Sequence, residues 1–443
     1  MRKTTALLAA VAAMAGPAAR ADTVDVSSTT MLTLGQQPLD GQPNQAPSLG
    51  TVVPVFELLN IAAHNVTNPV AQNLEIVVSG WGSYNFDTIR WDNGVSTRLT
   101  GDLVNAYIGG RLFNNTVQLR LGREFIMGGV ARGLQLDGGE AIAMLPFGLR
   151  ASGYVGVPVT QRFTGVVPTS WNPQAGSLAY GGRLSYYLAL PGGFSGRGLD
   201  LGASVNWVND GSNMPVRQEV GADARLMLLR NVIATGFFAY SVYDERISEG
   251  SVVLDWRAIP RLDVNADFRF TAPDLLLSRQ SILSVFSASS RKFIGGGATY
   301  ELAHGIGVGA NYPLVLEPGS EGGTYYGNEL DAKVDWHHES TRAGAEFFLL
   351  DAFENGYYGG RLFGRQDIGR FFGTADVMTY FYRHNINGQD YSVIGILSAG
   401  VELAKGFSAV VSGSAGANPL FQEQYSLLVK LAYNANYRVR EVK

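Results

Sequence analysis

Charged side chains at every second position are the feature of this sequence that carries the most chemistry. In the segment 261–270 every odd position is polar and every even position is apolar. The odd positions are Arg261, Asp263, Asn265, Asp267 and Arg269. Successive side chains of a β-strand point to opposite faces, so the segment is predicted to be a strand with one charged and one apolar face. A face with both signs of charge can bind or pass hydrated ions and other polar solutes.

The same alternation recurs in Glu329–His337, Arg217–Arg225 and Gln422–Asn434. In the last of these, Tyr425 and Tyr433 lie at opposite ends of the apolar face, which is typical of the two aromatic girdles of an outer-membrane barrel. A soluble antiparallel sandwich also alternates. We favour the barrel because the polar faces mix both charge signs. The apolar faces also run for about ten residues, the length with which a tilted strand crosses a bilayer.

The clearest strands supply the first candidates for residues that line a pore. They are Arg217, Arg225, Asp255, Arg257, Arg261, Asp263, Asp267, Arg269, Asp331, Lys333 and Asp335. Because positive and negative residues are nearly balanced, the lining is not expected to select strongly for anions or for cations. For any single residue the alternative is a structural role, in which the charge pairs across strands and holds the wall together.

The composition of the 443-residue chain excludes several other classes of protein. It contains no cysteine, so neither a disulfide nor a thiolate metal site can form. Charged residues make up 16% of the chain and the net charge is −4, which gives no basic surface for nucleic acid. Beyond the N-terminal region no uncharged apolar stretch reaches about 18 residues, so membrane-spanning helices are not expected. We expect no cofactor and no metal site.

The N-terminus has the pattern of an export signal. Arg2 and Lys3 precede an apolar run from Ala6 to Gly16, and Ala19 and Ala21 are small residues at the two positions that a signal peptidase reads. Residues 1–21 are therefore predicted to be a signal peptide, with a buried N-terminal helix as the alternative. Export, together with the strand pattern, predicts the outer membrane of a Gram-negative bacterium.

The rest of the chain divides into three parts. Residues 22–72 are predicted to be a periplasmic linker, with a short helix at 54–65; residues 73–434 form the barrel, and 435–443 a periplasmic tail. The predicted fold class is all-β, an antiparallel up-and-down transmembrane barrel of about 18–20 strands. Short periplasmic turns are expected at 114–115, 230–231, 259–260, 303–305 and 404–406. Longer extracellular loops are expected at 87–97, 160–175, 273–290 and 317–323.

One stretch, from Asp102 to Val159, resembles known proteins. It contains Leu-Gly-Arg-Glu at 121–124, Gly-Gly-Val-Ala-Arg at 128–132 and Leu-Asp-Gly at 136–138. This order resembles porin-like outer-membrane barrels, including the alginate-export-like group, which have a Leu-Gly-Arg-Gln strand, a Gly-Arg loop and an Asp-Gly strand. Glu124 stands where that group has glutamine. The resemblance implies that this region lines the pore, with Arg120, Asp137, Arg123 and Arg132 in the matching positions.

The strand pattern of this stretch agrees with the resemblance only in part. Alternation from Thr116 places Arg120 on the polar face, whereas Arg123 falls on the apolar face, so that it is either re-aimed by a bulge or lies at the level of the lipid headgroups. Asp137 is expected to share a face with Gln135, where it could meet Arg120 across neighbouring strands.

An enzymatic function has one candidate motif. His338 and Ser340 have the His-x-Ser spacing that resembles the outer-membrane phospholipase A barrel. Thr341-Arg342 follows where that family has Asn-Gly, and the motif falls at a predicted periplasmic turn. His337 and His338 are adjacent and would point to opposite faces, which argues against a metal site. We therefore predict that the protein is not an enzyme.

The predicted function is passive diffusion of small polar solutes across the outer membrane. The alternative is a plugged barrel with a structural or surface-interaction role. An energy-coupled transporter is not expected, because residues 22–72 are too few for the plug of such barrels. The expected partners are outer-membrane lipid, lipopolysaccharide and small polar solutes, and a homo-oligomer is compatible with the sequence. The loops 273–290 and 160–175 are candidates, by length, for a segment that folds into the lumen.

Overall fold

In the computed structural model of the chain, the alternating segments form one closed antiparallel sheet. The structure describes residues 23–38, 49–66, 72–86, 99–159, 176–190, 197–272, 290–319, 322–353, 355–419 and 421–438. The predicted signal peptide, residues 1–21, lies outside these ranges. Within them, no helix is long and apolar enough to cross a membrane. The helical pieces are three single turns of 3-10 helix, Gly129–Ala131, Pro146–Gly148 and Ala303–Gly305.

Strand segments occupy most of the described residues. They are β1 (Thr23–Pro38), β2 (Leu49–Val52), β3 (Pro54–Val66), β4 (Gln72–Asn85), β5 (Leu99–Leu112), β6 (Val117–Ile126), β7 (Leu134–Met144), β8 (Leu149–Pro158), β9 (Leu178–Ala189), β10 (Gly198–Asn209), β11 (Pro215–Leu229), β12 (Val232–Ser241), β13 (Arg246–Ile259), β14 (Leu262–Thr271), β15 (Arg291–Glu301), β16 (Ile306–Asn311), β17 (Leu314–Pro318), β18 (Thr324–His338), β19 (Thr341–Asp351), β20 (Tyr357–Ile368), β21 (Phe371–Ile386), β22 (Gln389–Ala404), β23 (Phe407–Asn418) and β24 (Phe421–Arg438).

Two strands of the barrel are each interrupted once. β2 and β3 both pair with β1, and β16 and β17 both lie between β15 and β18. A proline stands at each break, Pro54 at the first and Pro313 at the second, and proline removes the N–H that a ladder needs. The described segments therefore make a barrel of 22 strands.

Each strand pairs with its neighbours in sequence, and the barrel closes between β1 and β24, from Thr23 opposite Arg438 to Gly35 opposite Ser426. The all-β, up-and-down transmembrane barrel predicted from the sequence is confirmed. The predicted number of about 18–20 strands is too low. The barrel begins at residue 23 and not at 73, and its last strand runs to residue 438 and not to 434; residues 439–443 lie outside the described ranges.

The segment predicted as a linker with a short helix accounts for the missing strands. Residues 54–66 form β3, which hydrogen-bonds to β1 on one side and to β4 on the other, so the predicted helix at 54–65 is wrong. β1 was interpreted as linker because Ser27, Ser28, Thr29 and Thr30 put small hydroxyl residues on both of its faces. Tertiary pairing, and not local alternation, makes this segment a strand.

The connections differ between the two ends of the barrel. The predicted short turns at 114–115, 230–231, 259–260, 303–305 and 404–406 are all present, at the end where both β1 begins and β24 ends. The carbonyl of Asn231, in the turn between β11 and β12, accepts a hydrogen bond from the N–H of Arg257 in β13 at 2.8 Å. At the opposite end, the predicted loops 87–97 and 160–175 lie outside the described residues, as does most of 273–290.

The two faces of the wall are distinct. In β13, Val252, Leu254 and Trp256 are about half exposed on the outer face, whereas Asp255 and Arg257 alternate with them and point into the lumen. With strands about 4.8 Å apart and tilted by about 40°, a circular barrel of this strand number is roughly 40 Å across between backbones. A lumen of that width admits water and large solutes unless part of the chain narrows it.

One hairpin narrows it by leaving the wall. Gly122 in β6 pairs with Gly138 in β7, which pairs with Gly156 in β8, so three glycines lie in a row across the sheet. Gly122 has φ 131°, and a Cβ there would overlap the carbonyl oxygen of Ala106. Immediately above this row the β5–β6 ladder ends, at Ala106 opposite Arg123. Glycines in a strand permit such a bend and close approach of backbones.

Replacing Gly122 by alanine is predicted to destabilise the barrel. The substitution places a Cβ in a backbone conformation that favours glycine and against the carbonyl of Ala106, at an expected cost of about 2 kcal/mol or more in the free energy of unfolding. Urea unfolding of protein inserted in lipid vesicles measures this. The matched control is Gly413→Ala in β23, where a Cβ meets nothing within 4 Å; its effect is expected to be below about 0.5 kcal/mol. Equal effects at both positions would contradict the interpretation.

Candidate functional site

The segment 127–133, between β6 and β7, folds into the lumen. We call it the inward segment. Val130 is fully buried and Ala131 is 4% exposed, and Ala131 belongs to a small apolar cluster with Ile126, Leu136 and Tyr154. Its base is closed by the N–H of Gly133, which donates to the carbonyl of Ile126 at 3.1 Å. Because this short loop is buried on the lumen side of the wall, it occupies part of the lumen.

The backbone of the inward segment is fixed to β10 and packs on β11. The N–H of Val130 donates to Oγ of Ser204 at 3.0 Å. Gly129, at φ 53°, lies so close to Ser204 that a Cβ would overlap this side chain, and the Val130 side chain occupies the place that a Cβ on Gly221 would need. The segment therefore reaches across three strands from its origin.

Arg132 anchors the segment electrostatically. Its Nη1 lies 3.0 Å from both carboxylate oxygens of Glu219, and its Nε lies 2.8 Å from Glu249. The guanidinium also covers the Phe237 ring, 5.3 Å from its centroid. Glu219 is only 1% exposed, and it accepts a further hydrogen bond from Ser248 at 2.7 Å. A carboxylate this buried needs its cationic partner.

A β-bulge supplies two of these contacts. The register between β12 and β13 shifts between Ala239 and Tyr240, where Tyr240 pairs with Ile247 and Ala239 with Glu249. The extra residue, Ser248, then lies on the lumen side together with Glu249, which regular alternation would not permit. The bulge thus aims both side chains at Arg132.

Further charge pairs surround the anchor. Arg183 in β9 forms two hydrogen bonds to Asp223 in β11, at 2.5 and 3.0 Å, and its Nη2 lies 3.7 Å from Asp200. Arg217 lies 2.6 Å from the buried Glu219. The Arg183 pairs join β9 to β10 and β11, whereas Arg217 and Glu219 pair within β11, so the first set stiffens the wall beneath the inward segment.

A second group of charges lies on the strands from which the inward segment comes. Arg120 is 3.6 Å from Glu75 and 3.6 Å from Glu140, and it lies over the ring of Tyr107. Glu124 is 2% exposed, and neither of its carboxylate oxygens accepts a hydrogen bond from a described residue. This part of the lumen is therefore acidic, with Arg120 as its central positive charge.

The pore-lining candidates from the clearest strands lie mainly on the lumen face. Arg257 lies 2.9 Å from Asp263, and Arg269 lies 2.8 Å from Asp267. The remaining candidates on that face, by the alternation of their strands, are Arg217, Arg225, Asp255, Asp331, Lys333 and Asp335. Arg261 lies in the turn between β13 and β14, because β14 begins one residue later than predicted. Contact of these residues with a passing solute stays a prediction.

Asp137 occupies a different place from the one predicted. It lies on the outer face of β7, because Glu140 and Leu136 take the lumen face, and it is 46% exposed. Its partner is Arg123, at 2.6 Å, and not Arg120. Arg123 remains on the outer face as alternation predicts, and the bulge invoked to re-aim it inward is not needed.

Sequence reasoning missed an aromatic patch on the opposite wall. Phe348, Tyr357 and Tyr380, on β19 to β21, face the lumen with ring centroids 4.7 and 5.3 Å apart. Below them Arg361 bonds to Asp376 at 2.9 Å. The strand pattern contained the signal, since these aromatic residues fall on the polar side of their strands. Tyr380 lies 23 residues after Tyr357 and 32 residues after Phe348, so the sequence did not reveal the cluster.

The candidate enzymatic motif is not assembled. His338 stacks on Trp336, with ring centroids 6.2 Å apart, and Ser340 accepts a hydrogen bond from Gln366 at 3.1 Å. The two side chains thus have different partners, at a short turn between β18 and β19. Within the ranges that the structure describes, no group of three or more histidine or carboxylate residues is arranged to hold a metal ion.

Comparison with known proteins supports the fold. The siderophore receptor PirA from Pseudomonas aeruginosa is similar over 94% of this chain and 80% of its own, with a TM-score of 0.58 and 13% sequence identity. OccAB4 from Acinetobacter baumannii matches over 95% and 100%, with a TM-score of 0.45 and 8% identity. The translocation pore of the P pilus usher PapC has a TM-score of 0.43 and 11% identity, over 94% and 100%. No family model and no curated protein matches the sequence.

Fold and lumen together define the class of protein. The chain is a closed, all-β transmembrane barrel of the outer-membrane type, with 22 antiparallel strands.

Removing the Arg132 anchor is predicted to release the inward segment. In a Val130→Cys background, whose thiol is the only one in the chain, the buried position is expected to react slowly with a charged methanethiosulfonate reagent. Arg132→Ala leaves Glu219 without one of its two cationic partners, so the labelling rate should rise by at least about tenfold as the segment opens. Arg257→Ala, at an exposed pair remote from the segment, is the control. An unchanged rate in the Arg132 variant would refute the anchoring role.

Proposed function

We propose that the protein is a passive channel for small polar solutes, narrowed by the inward segment. The observation that carries this proposal is the way in which Arg132 holds a short loop across a charged lumen. A loop fixed at its tip to the lumen face of β11 and β13 narrows a wide barrel without filling it. This arrangement suits diffusion of solutes below a size limit.

The chemistry of the lining supports polar solutes. Positive and negative side chains alternate around the lumen and are paired with each other, as in Arg183 with Asp223 and Arg361 with Asp376. Paired charges hydrate well and repel apolar molecules, while their opposite signs leave little net field. We therefore expect modest ionic selectivity, with the acidic group around Glu124 favouring cations locally.

The resemblance of residues 102–159 to alginate-export-like porins supports the same assignment at finer detail. The Gly-Arg loop implied by that resemblance coincides with the inward segment, whose Arg132 is the anchor. We propose that the chain shares with this group an arginine-anchored constriction. The proposal concerns the architecture of the pore and not the solute.

A plugged barrel is the alternative function. It is favoured by the complete burial of Val130 and by the apolar cluster at the base of the inward segment, both of which are typical of a fixed structural element. In that case the lumen would be closed to ions, and the charge pairs would serve only to hold the barrel together.

Single-channel conductance in planar bilayers separates the two functions. We expect steady steps that scale with salt concentration, and we expect Arg132→Ala to enlarge them because the constriction is released. The matched control is Arg370→Ala, which makes the same change of charge in the turn between β20 and β21 and should leave the steps unchanged.

Two results would refute the channel. Protein shown to be folded and inserted, but electrically silent, would favour the plugged barrel. An open channel whose conductance is the same in the Arg132 variant would retain diffusion but remove the inward segment as its constriction.

A further inference from the structure

The barrel wall has a seam between β5 and β6. Beyond Ala106, the residues Leu99–Asn105 of β5 continue to pair with β4, from Tyr84 opposite Leu99 to Ser79 opposite Asn105. On their other side they pair with no strand in the part of the chain that the structure describes. The residues of β6 that would continue the ladder, Glu124–Ile126, pair only with β7. Because the end of the β6–β7 hairpin turns into the lumen, the ladder between β5 and β6 is missing over these residues.

Side chains, and not backbone, close the seam. Arg123 donates to Asp102 at 2.8 Å and to the carbonyl of Leu103 at 3.0 Å, both on β5. From β7, Gln135 donates to the carbonyl of Val104. On the other flank Arg123 also forms two hydrogen bonds to Asp137, at 2.6 and 2.8 Å. Ordinary ladder bonds are replaced by contacts that a change of rotamer can break.

An apolar groove runs along the outer face beside the seam. It has a volume of about 860 Å³ and is bounded by Leu119, Leu121, Val155, Tyr180 and Trp207. Glycines of β7, β8 and β9 form its floor. Tyr180 stacks on Trp207, with centroids 6.1 Å apart, and such aromatic residues lie at the level of the lipid headgroups. Arg123 and its two carboxylates are therefore near the membrane surface, at the end of a groove that faces acyl chains.

We propose that the seam opens laterally and lets an amphipathic molecule with one apolar chain pass between the lumen and the outer leaflet. The groove takes the apolar chain, and the polar residues of the seam take the head. Arg123 with Asp102 and Asp137 has a net charge of −1, so a cationic or neutral head is favoured over an anionic one. This inference goes beyond the proposed diffusion of polar solutes through the lumen.

The lumen side of the seam suits the same molecule. The acidic group there, with Glu124 and Glu140 largely buried, attracts a cationic head that enters between β5 and β6. A wall that merely bends would be expected to keep its backbone ladder and to carry apolar side chains on the lipid face. Here the ladder stops, and three charged side chains take its place on that face.

The test uses a long-chain alkylamine with a photoreactive diazirine on its chain, incorporated into vesicles with the protein. Because the chain has no cysteine, Asp102→Cys with Arg123→Cys can be joined across the seam by a short, reducible bifunctional thiol reagent. The control pair, Ala345→Cys with Leu362→Cys, joins β19 and β20 on the outer face where the ladder is intact. Adducts are mapped by mass spectrometry on lumen residues such as Tyr107 and on outer-face residues such as Leu121.

We expect adducts on lumen residues in the wild type, more in the unjoined seam pair, and at least a several-fold loss when the seam is joined. Reduction of the reagent should restore them in the same sample, which excludes misfolding. Joining the control pair should have no effect, and outer-face adducts should persist throughout. Lumen adducts that persist in the joined seam, or that never form, would overturn the lateral route.

Two further measurements separate the parts of the proposal. A diazirine analogue with a carboxylate head should give fewer lumen adducts, and an equal yield would overturn the assignment of the head group. Conductance of the joined protein in planar bilayers should equal that of the unjoined protein. A silent but folded protein that still shows seam-dependent adducts would refute the diffusion channel and leave the lateral route standing.

Discussion

The ion pair between Arg132 and Glu219 is the interaction on which the interior of the barrel depends. Glu219 is 1% exposed, and the loss of one partner of such a buried pair costs about 3–5 kcal/mol. The pair fixes the tip of a seven-residue loop to strands far from its origin, at a site that a bulge in β13 prepares with Ser248 and Glu249. Together with the hydrogen bond from Val130 to Ser204, this contact holds a glycine-rich loop on the lumen face of β10 and β11.

The same hairpin explains two features that look unrelated. The row of glycines at Gly122, Gly138 and Gly156 lets the end of the hairpin bend into the lumen, which it narrows. Because the bent end of β6 no longer lies beside β5, the same bend interrupts the β5–β6 ladder. The break is then closed by Arg123, a residue whose position on the outer face is costly among acyl chains and tolerable near the headgroups. The position of an outward-facing charge along its strand therefore determines how much the membrane destabilises it.

Alternation predicted the barrel, the faces of β14 and β18 and the short turns, because each is determined by residues adjacent in sequence. Alternation failed where pairing between strands determines the structure. β1 and β3 became strands through partners on β24 and β4, although their own patterns are weak. The predicted partner of Arg120 is wrong because Asp137 lies on the outer face of β7, whereas Glu140 lies on the lumen face of β7 and Glu75 approaches from β4. The loops 160–175 and 273–290, which length singles out as candidates for an inward segment, lie outside or almost entirely outside the described residues, whereas the short loop 127–133 enters the lumen where its strands bend.

The closure of the sheet between β1 and β24 has a consequence for assembly. Thr23 and Arg438 are partners across nearly the whole described chain, so this ladder is the most non-local contact in the protein. Closing so long a loop is entropically expensive and kinetically late. Until it forms, the nascent sheet carries two unpaired edges, the kind of surface that recruits other strands. β1 is synthesised first and can pair with β24 only after the last strand has been made. A chain that lacks β24 therefore cannot close the barrel.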